Sequence, residues 1–344
     1  MSRRPRAALF VLFLAASFML SVSLGAVPVP LERTARILAA AVTGSEAAGI
    51  PRSLHDVVVG IRVPRVLLGM LVGAALAVSG LIFQALLRNP LAEPYTLGIS
   101  AGAAFGAGLA VFLSYLVGAG MKAFMPLFAF TGALSTVFLV YFLARTRGRI
   151  QVLTMILAGV IVSYLFSSGL VLIMSLLGDR SHEIIYWLMG SLAGYHPRLP
   201  LAAAAVALLV AFTFLFHRDL DLISLGDERA MSLGVNTDLV RLVLFSTTSL
   251  ITAVAVSMTG TIGFVGLIIP HSVRLLIGPK HQALIPATVA AGAAFLPLSD
   301  TLGRTLPGAL FGSGMEVPVG VVTALFGSPF FIFLLIRGKK RYWF

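Results

Sequence analysis

Apolar runs of roughly twenty residues recur along this chain from one end to the other, and they leave it little choice of architecture. They fall near residues 7–27, 63–87, 95–117, 124–144, 152–177, 199–216, 239–257, 261–277, 284–302 and 317–336. Inside a bilayer every backbone N–H and C=O must find its partner within the protein, so runs of this length fold as helices. Composition agrees. Of the 344 residues 58% are hydrophobic and 11% charged, with mean hydropathy +1.00, where soluble domains carry roughly a quarter charged residues. The expectation is an all-α polytopic membrane protein of about ten transmembrane helices in one bundle, occupying residues 1–344 with no separate soluble domain. The eighth run is the weakest span, because Gly260, Gly263, Gly266 and Pro270 interrupt it.

The basic start, Met-Ser-Arg-Arg-Pro-Arg, followed by an apolar run, resembles a secretory signal, but the run is long for one and no small-x-small cleavage site follows. It reads as a retained first helix. An even number of spans puts both termini on one side. With the N-terminus inside, 16 of the 25 Lys and Arg residues fall on inner segments, among them Arg88, Arg147, Arg241, Arg274, Lys280, Lys339, Lys340 and Arg341. The positive-inside rule therefore favours cytoplasmic termini. The net charge of +12 follows from these flanks and gives no reason to expect nucleic acid. With no cysteine, disulfide and thiolate chemistry are excluded, and the redox compartment stays open.

On that orientation His217–Arg241 is cytoplasmic. It holds five of the thirteen acidic residues. Leu222, Ile223, Leu225, Ala230, Met231, Leu233 and Val235 are interleaved with Asp227, Glu228 and Arg229, and Gly226 and Gly234 punctuate the stretch. This pattern predicts one or two short amphipathic helices with a glycine stop. Either they form an exposed helical loop, or they are a handle by which a partner grips the membrane part.

Five other clusters carry polar side chains. Arg62-Val-Pro-Arg65 lies outside, against the charge bias; it either touches headgroups or offers a rigid fork to a carboxylate. In Asn89-Pro-Leu91-Ala-Glu93-Pro the prolines forbid continuous helix, and irregular backbone near membrane depth is tolerated where it lines a cavity. We read Asn89–Leu91 as a pathway or gate element, and Gly98, Gly102 and Gly106 after it as close helix packing. His271 and His281 lack metal-pair spacing and read as structural. Asp300 and Arg304 are four apart and would pair on one helical face; Arg304 is also placed to join Arg62 and Arg65. His182, Glu183 and His196 form no ligand pattern, and no metal site is expected. Ser313, between two glycines, has no histidine placed to serve it. No Gly-Lys-Ser or Gly-Lys-Thr occurs, so the chain carries no P-loop ATPase of its own.

Taken in order, RVPR at Arg62–Arg65, SGLIFQALLRNPLAEPYTLGISAGA from Ser79, YWLMGSL from Tyr186, LGDERAMSLGV from Leu225, GTIGFVGLIIPHSVR from Gly260, LPLSDTLGR and EVPVGVVTALFGSPFFIFLL closely resemble the FecCD family. These are the permease subunits of type II ABC importers for ferric siderophores, haem and vitamin B12. The resemblance covers nearly the whole chain. It implies ten helices per subunit, two permease subunits around a central pathway (a homodimer is expected), two cytoplasmic ATPases that bind ATP-Mg, an extracytoplasmic substrate-binding protein, and a bacterial or archaeal inner membrane. It implies no cofactor in this chain and no covalent catalysis by it. By the same resemblance Leu225, Gly226, Asp227, Glu228, Arg229, Ala230, Leu233 and Gly234 belong to the helices that couple to the ATPase. Arg62, Arg65 and Arg304 would meet acidic residues on the binding protein. Asn89, Pro90 and Leu91 match one cytoplasmic gate, and Val152, Leu153 and Thr154 fall at the other, where Val152 and Leu153 are bulkier than the small hydroxyl residues of the B12 importer. The rival function is an ion-coupled secondary transporter. It would need a midplane acidic or histidine relay, for which Glu93, Asp300 and Glu316 are the few candidates.

Overall fold

The computed structural model describes residues 3–25, 27–45, 49–146, 149–194, 197–312 and 315–338. Arg147, His196, Ser313, Lys339, Lys340 and Arg341 lie outside the described residues. The order is α1 (Arg3–Ser23), α2 (Leu31–Thr43), α3 (Arg52–His55), a π-helical stretch (Asp56–Arg62) running into α4 (Val63–Leu87), a 3₁₀ turn (Pro94–Leu97), α5 (Ile99–Val117) and α6 (Met125–Ala144). A two-residue hairpin, Arg145–Thr146 with Arg149–Ile150, leads to α7 (Val152–Leu177), α8 (His182–Leu188) and α9 (Leu199–Phe214). Then follow α10 (His217–Ile223), α11 (Asp227–Ser232), α12 (Thr237–Thr259), α13 (Val265–Ile277), α14 (His281–Phe311) and α15 (Val319–Gly338).

Six helical stretches among the described residues are long and apolar enough to cross a membrane: Arg52–Leu87, Ile99–Val117, Gly120–Ala144, Val152–Leu188, Thr237–Thr259 and His281–Leu310. The pair α9 and α10, bent by 56°, makes a seventh. Shorter apolar helices over Ala8–Ser23, Val265–Ile277 and Val319–Phe333 occupy the three remaining expected runs. The all-α polytopic reading holds.

The boundaries shift where sequence could not see the packing. α14 is 31 residues long and continues through Gly303–Phe311, beyond the expected run at 284–302. Arg62 and Arg65 do not precede a span but lie within one continuous helix, because the π-helical turn joins α3 to α4. The eighth run is helical only from Val265, so 260–264 is a break rather than a first turn. The third run begins as helix at Ile99, after the 3₁₀ turn.

α4 is the centre of the bundle, buried on all sides between α12, α13, α14 and α1. Its glycines allow this. A Cβ at Gly80 would overlap the carbonyl of Gly266 on α13, and one at Gly73 would overlap that of Gly292 on α14. The helices therefore meet backbone to backbone. Gly102 and Gly106 of α5 do the same against Gly132 and Phe128 of α6, as their spacing predicted. α12 carries buried Thr247, Thr252 and Thr259, whose hydroxyls donate to carbonyls four residues earlier at 2.8, 3.0 and 3.1 Å. Local back-bonding of this kind satisfies a polar side chain inside an apolar bundle.

Candidate functional site

Four pieces of polar machinery are set along the bundle. The first is 217–241. It folds as predicted, into α10 and α11, with Gly226 at φ +113° and Gly234 at φ +88° ending each turn. Leu220, Ile223 and Ala230 are fully buried and anchor it. Asp227 clamps it further, accepting from Arg241 Nη2 of α12 at 2.6 Å and lying 3.7 Å from Arg88 Nη2 at the end of α4. Asp221 accepts from both the backbone N–H (2.9 Å) and Nδ1 (2.7 Å) of His281, the first residue of α14. Two of the five acids thus face the bundle, and His281 is structural as expected. The outer surface keeps Leu225, Met231 and Leu233 at 58, 52 and 63% exposure, beside exposed Glu228 and Arg229. A fastened segment with an uncovered apolar face is shaped to receive a partner.

The second piece is the turn between α4 and α5. Arg88 caps α4 in the left-handed region (φ +48°). Asn89 Oδ1 accepts from the Leu91 N–H at 2.9 Å, closing an Asx turn, and Leu91 is exposed. Glu93 and Tyr95 then reach the break at 260–264. The Tyr95 hydroxyl donates to the Ile262 carbonyl at 2.8 Å and accepts from its N–H at 2.7 Å. The Glu93 carboxyl accepts from the Phe264 N–H, while its Oε2 is buried without a partner. Burial pushes the Glu93 carboxyl up to about 7, against the opposing pull of that N–H.

The third is the cavity system. Thr261, Gly263 and Leu188 line both of two hollows, of about 660 and 430 Å³. The larger is an open hollow lined on one side by α15 through Gly320, Val321, Ala324, Leu325 and Ser328. The smaller is lined by Tyr95, Ser100, Ala104, Ser167 and Leu170. No charged side chain lines either, so the walls are apolar with scattered hydroxyls. Phe264, held at φ +68°, lays its ring on Gly327 of α15. At the start of α7, Val152 is half-buried, Leu153 is 70% exposed, and Thr154 Oγ1 donates to Gln151 Oε1 at 3.3 Å. No hydrogen bond joins Val152–Thr154 to Asn89–Leu91 among the described residues; the Pro94–Leu97 turn packs on α7 at Gly159.

The fourth piece, at the other end of α4, gathers the three arginines, but not as free groups. Arg62 is buried, donating to the carbonyls of Val22 (3.0 Å), Ser23 (2.9 Å) and Val27. Arg304, also buried, donates to the Ser21 carbonyl at 3.1 Å and pairs with Asp300 at 3.0 Å, confirming the i, i+4 pair. Both therefore saturate the open carbonyls at the end of α1. Arg65 alone keeps a fork for carboxylates, and two carboxylates of this chain occupy it: Asp300, and Glu316 at 2.9 Å. Of the three arginines expected outside, Arg62 and Arg304 are thus buried struts, and Arg65, 12% exposed, has its guanidinium engaged by Asp300 and Glu316. On the same side Lys122 pairs with Glu183 at 2.7 Å, so Glu183 has an ionic rather than a ligating role.

The profile of the FecCD transport family matches residues 13–337. The chain belongs to this family. As a FecCD permease it is 40% identical over 298 residues to the cobalamin import permease BtuC of Halobacterium salinarum, covering 85% of this chain and 77% of that one. It is 37% identical over 284 residues to the hemin transport permease HmuU of Yersinia pestis, with 82% and 83% covered. A molybdate import permease, MolB of Haemophilus influenzae, is 36% identical over 334 residues, with 96% and 94% covered. Among solved structures, one described as an inward-facing ABC transporter of the metal-chelate type superposes with a TM-score of 0.78 at 30% identity, covering 97% of this chain and 99% of that one. The FecCD chain is accordingly a multi-pass membrane permease of an ABC importer, not itself catalytic, in a family that works with ATPase and binding-protein partners.

Sequence reasoning missed the clasp of Glu93 and Tyr95 on the break and the ion pairs Asp227 makes. In a chain with so few charges each is expected to find a partner, so the adjacent placement of Arg88 and Arg241 around Asp227 was the available signal.

Proposed function

We propose that this permease passes a bulky metal chelate from an extracytoplasmic binding protein across the inner membrane, driven by ATP bound with Mg²⁺ to two cytoplasmic ATPase subunits, with a second copy of the chain completing the pathway. The observation that carries the reading is the handle 217–241. It is anchored into α4, α12 and α14 by Asp227 and Asp221, yet it leaves Leu225, Met231 and Leu233 uncovered in a chain without a P-loop. Leu225, Gly226, Asp227, Glu228, Arg229, Ala230, Leu233 and Gly234 then form the coupling element. Arg65 is the contact for the binding protein, with Arg62 and Arg304 holding its surroundings in shape. Asn89, Pro90 and Leu91 with Val152, Leu153 and Thr154 form the inner gate. The apolar, hydroxyl-dotted cavity walls suit a large cargo that is guided rather than gripped. The relatives' named cargoes, cobalamin, hemin and molybdate, set the probes.

The test is uptake into proteoliposomes holding this chain with its ATPase and binding protein, offered cobalamin, hemin, ferric citrate and molybdate in turn. Accumulation that requires both ATP and the binding protein is expected for a chelate. Accumulation driven by a proton gradient alone would overturn the reading.

A further inference from the structure

The clasp between the α4–α5 turn and the break at 260–264 is a polar feature of the interior that the reading above leaves unused. It begins at the handle. Asp227 lies against Arg88, and Arg88 opens a turn that is bonded to itself along its length. Asn89 N–H donates to the Gln84 carbonyl (3.2 Å), Ala92 N–H to that of Asn89 (3.0 Å), Thr96 Oγ1 to that of Glu93 (2.7 Å), and Gly98 N–H to that of Tyr95 (3.0 Å). A segment with this internal bonding moves as one piece.

At its far end the piece is hydrogen-bonded to the break. Tyr95 satisfies both the N–H and the C=O of Ile262 with one hydroxyl, replacing the partners a helix would have given. Glu93 takes the N–H of Phe264. The break itself has two residues in the left-handed region, Gly260 at φ +74° and Phe264 at φ +68°. A bulky aromatic is rarely found there and stays only while its surroundings hold it. What the break walls is both cavities, through Thr261 and Gly263.

We infer that Glu93 and Tyr95 are positioning residues that carry movement of the handle, through Arg88 and the Asn89–Leu91 turn, to the Gly260–Phe264 break and so reshape the cavity walls. The break is the element with alternative arrangements, and the turn is the rigid arm that sets it. This rests on the reading of 217–241 as the ATPase-docking segment.

Gly263 supplies the reporter. A Cβ there meets nothing within 4 Å, its φ is ordinary, and the chain has no native cysteine. Gly263→Cys, labelled with an environment-sensitive fluorophore, is assembled in nanodiscs with the transporter's own ATPase, and the signal is read with and without ATP and vanadate. An ATP-driven change is expected in the otherwise unaltered chain. With Tyr95→Phe or Glu93→Ala added, the change should shrink about fivefold, within the range by which intermediate residues alter coupling, while ATPase assembly and the rate of hydrolysis hold. Uncoupling of that kind separates positioning from a merely structural role, which would lower both together. A full response in both variants, or no response in the unaltered chain, overturns the inference. If Tyr95→Phe does not fold, Glu93→Ala decides alone. Leu233→Glu is the control for the underlying reading: if it still binds the ATPase, the docking assignment fails, whatever the reporter shows.

Discussion

Arg65 holds Asp300 by a two-point fork, Nε to Oδ2 and Nη2 to Oδ1, both at 2.9 Å, across 235 residues of sequence. Asp300 also pairs with Arg304, so one buried carboxylate bridges two guanidinium groups where α4, α14 and the end of α1 meet.

Replacing Asp300 by Ala leaves buried Arg304 without a carboxylate partner and Arg65 with Glu316 alone. A loss of about 3–5 kcal/mol in unfolding free energy is expected, the usual cost of removing one side of a buried pair. Denaturant unfolding in detergent measures it. A loss below 1 kcal/mol would show that the pair is not what holds this junction.

Arg62 and Arg65 should respond differently to charge reversal. Arg65→Glu is expected to weaken docking of the binding protein, with an effect that fades at high salt. Arg62→Glu removes donors from two α1 carbonyls and that of Val27 just after it, and should lower the yield of folded protein instead. Surface plasmon resonance beside thermal melting separates the two; equal docking defects with unchanged melting would show that Arg62 faces the partner after all.

Glu316 competes for the same fork, so Glu316→Gln should tighten docking about two- to fivefold, the scale of a half-exposed ion pair. Titration of the binding protein onto reconstituted permease tests this, and weakened docking would mean that Glu316 shapes the site rather than occupying it.

Within the handle, Leu233→Glu should abolish ATPase binding while changing stability by less than about 0.5 kcal/mol, because Leu233 is exposed. Asp227→Ala should instead destabilise the fold by about 3 kcal/mol, since Arg241 is buried and loses its near partner. Co-purification and thermal melting read the two effects.

Glu93 gives the permease a pH dependence. Its folded value of about 7 lies above the ordinary 4.5, so the folded state holds the proton more tightly than the unfolded one. Its contribution is fully present below pH 4.5 and is lost as pH rises through 7, by up to about 3 kcal/mol. Glu93→Gln should remove that slope in melts recorded from pH 5 to 8; an unchanged slope would assign it to another group.

The ten segments were legible because bilayer thickness writes itself into run length, and the handle because five acids in one stretch stand out in an apolar chain. Asp300–Arg304 followed from helical spacing. The fates of Arg62 and Arg304 were not legible, because their partners are main-chain carbonyls of α1, which carry no residue identity. The clasp of Tyr95 on Ile262 was hidden for the same reason: it bridges 167 residues and ends on backbone. The reach of α14 through Gly303–Phe311 was obscured by Pro307, tolerated there inside the helix.

The glycine contacts of α4 have a mechanical consequence. With Gly80 seated on Gly266 and Gly73 on Gly292, α4 cannot slide or roll against α13 or α14 without main chain striking main chain. Those three helices behave as a stator. Any rearrangement of the bundle then has to take place around this fixed spine and not within it.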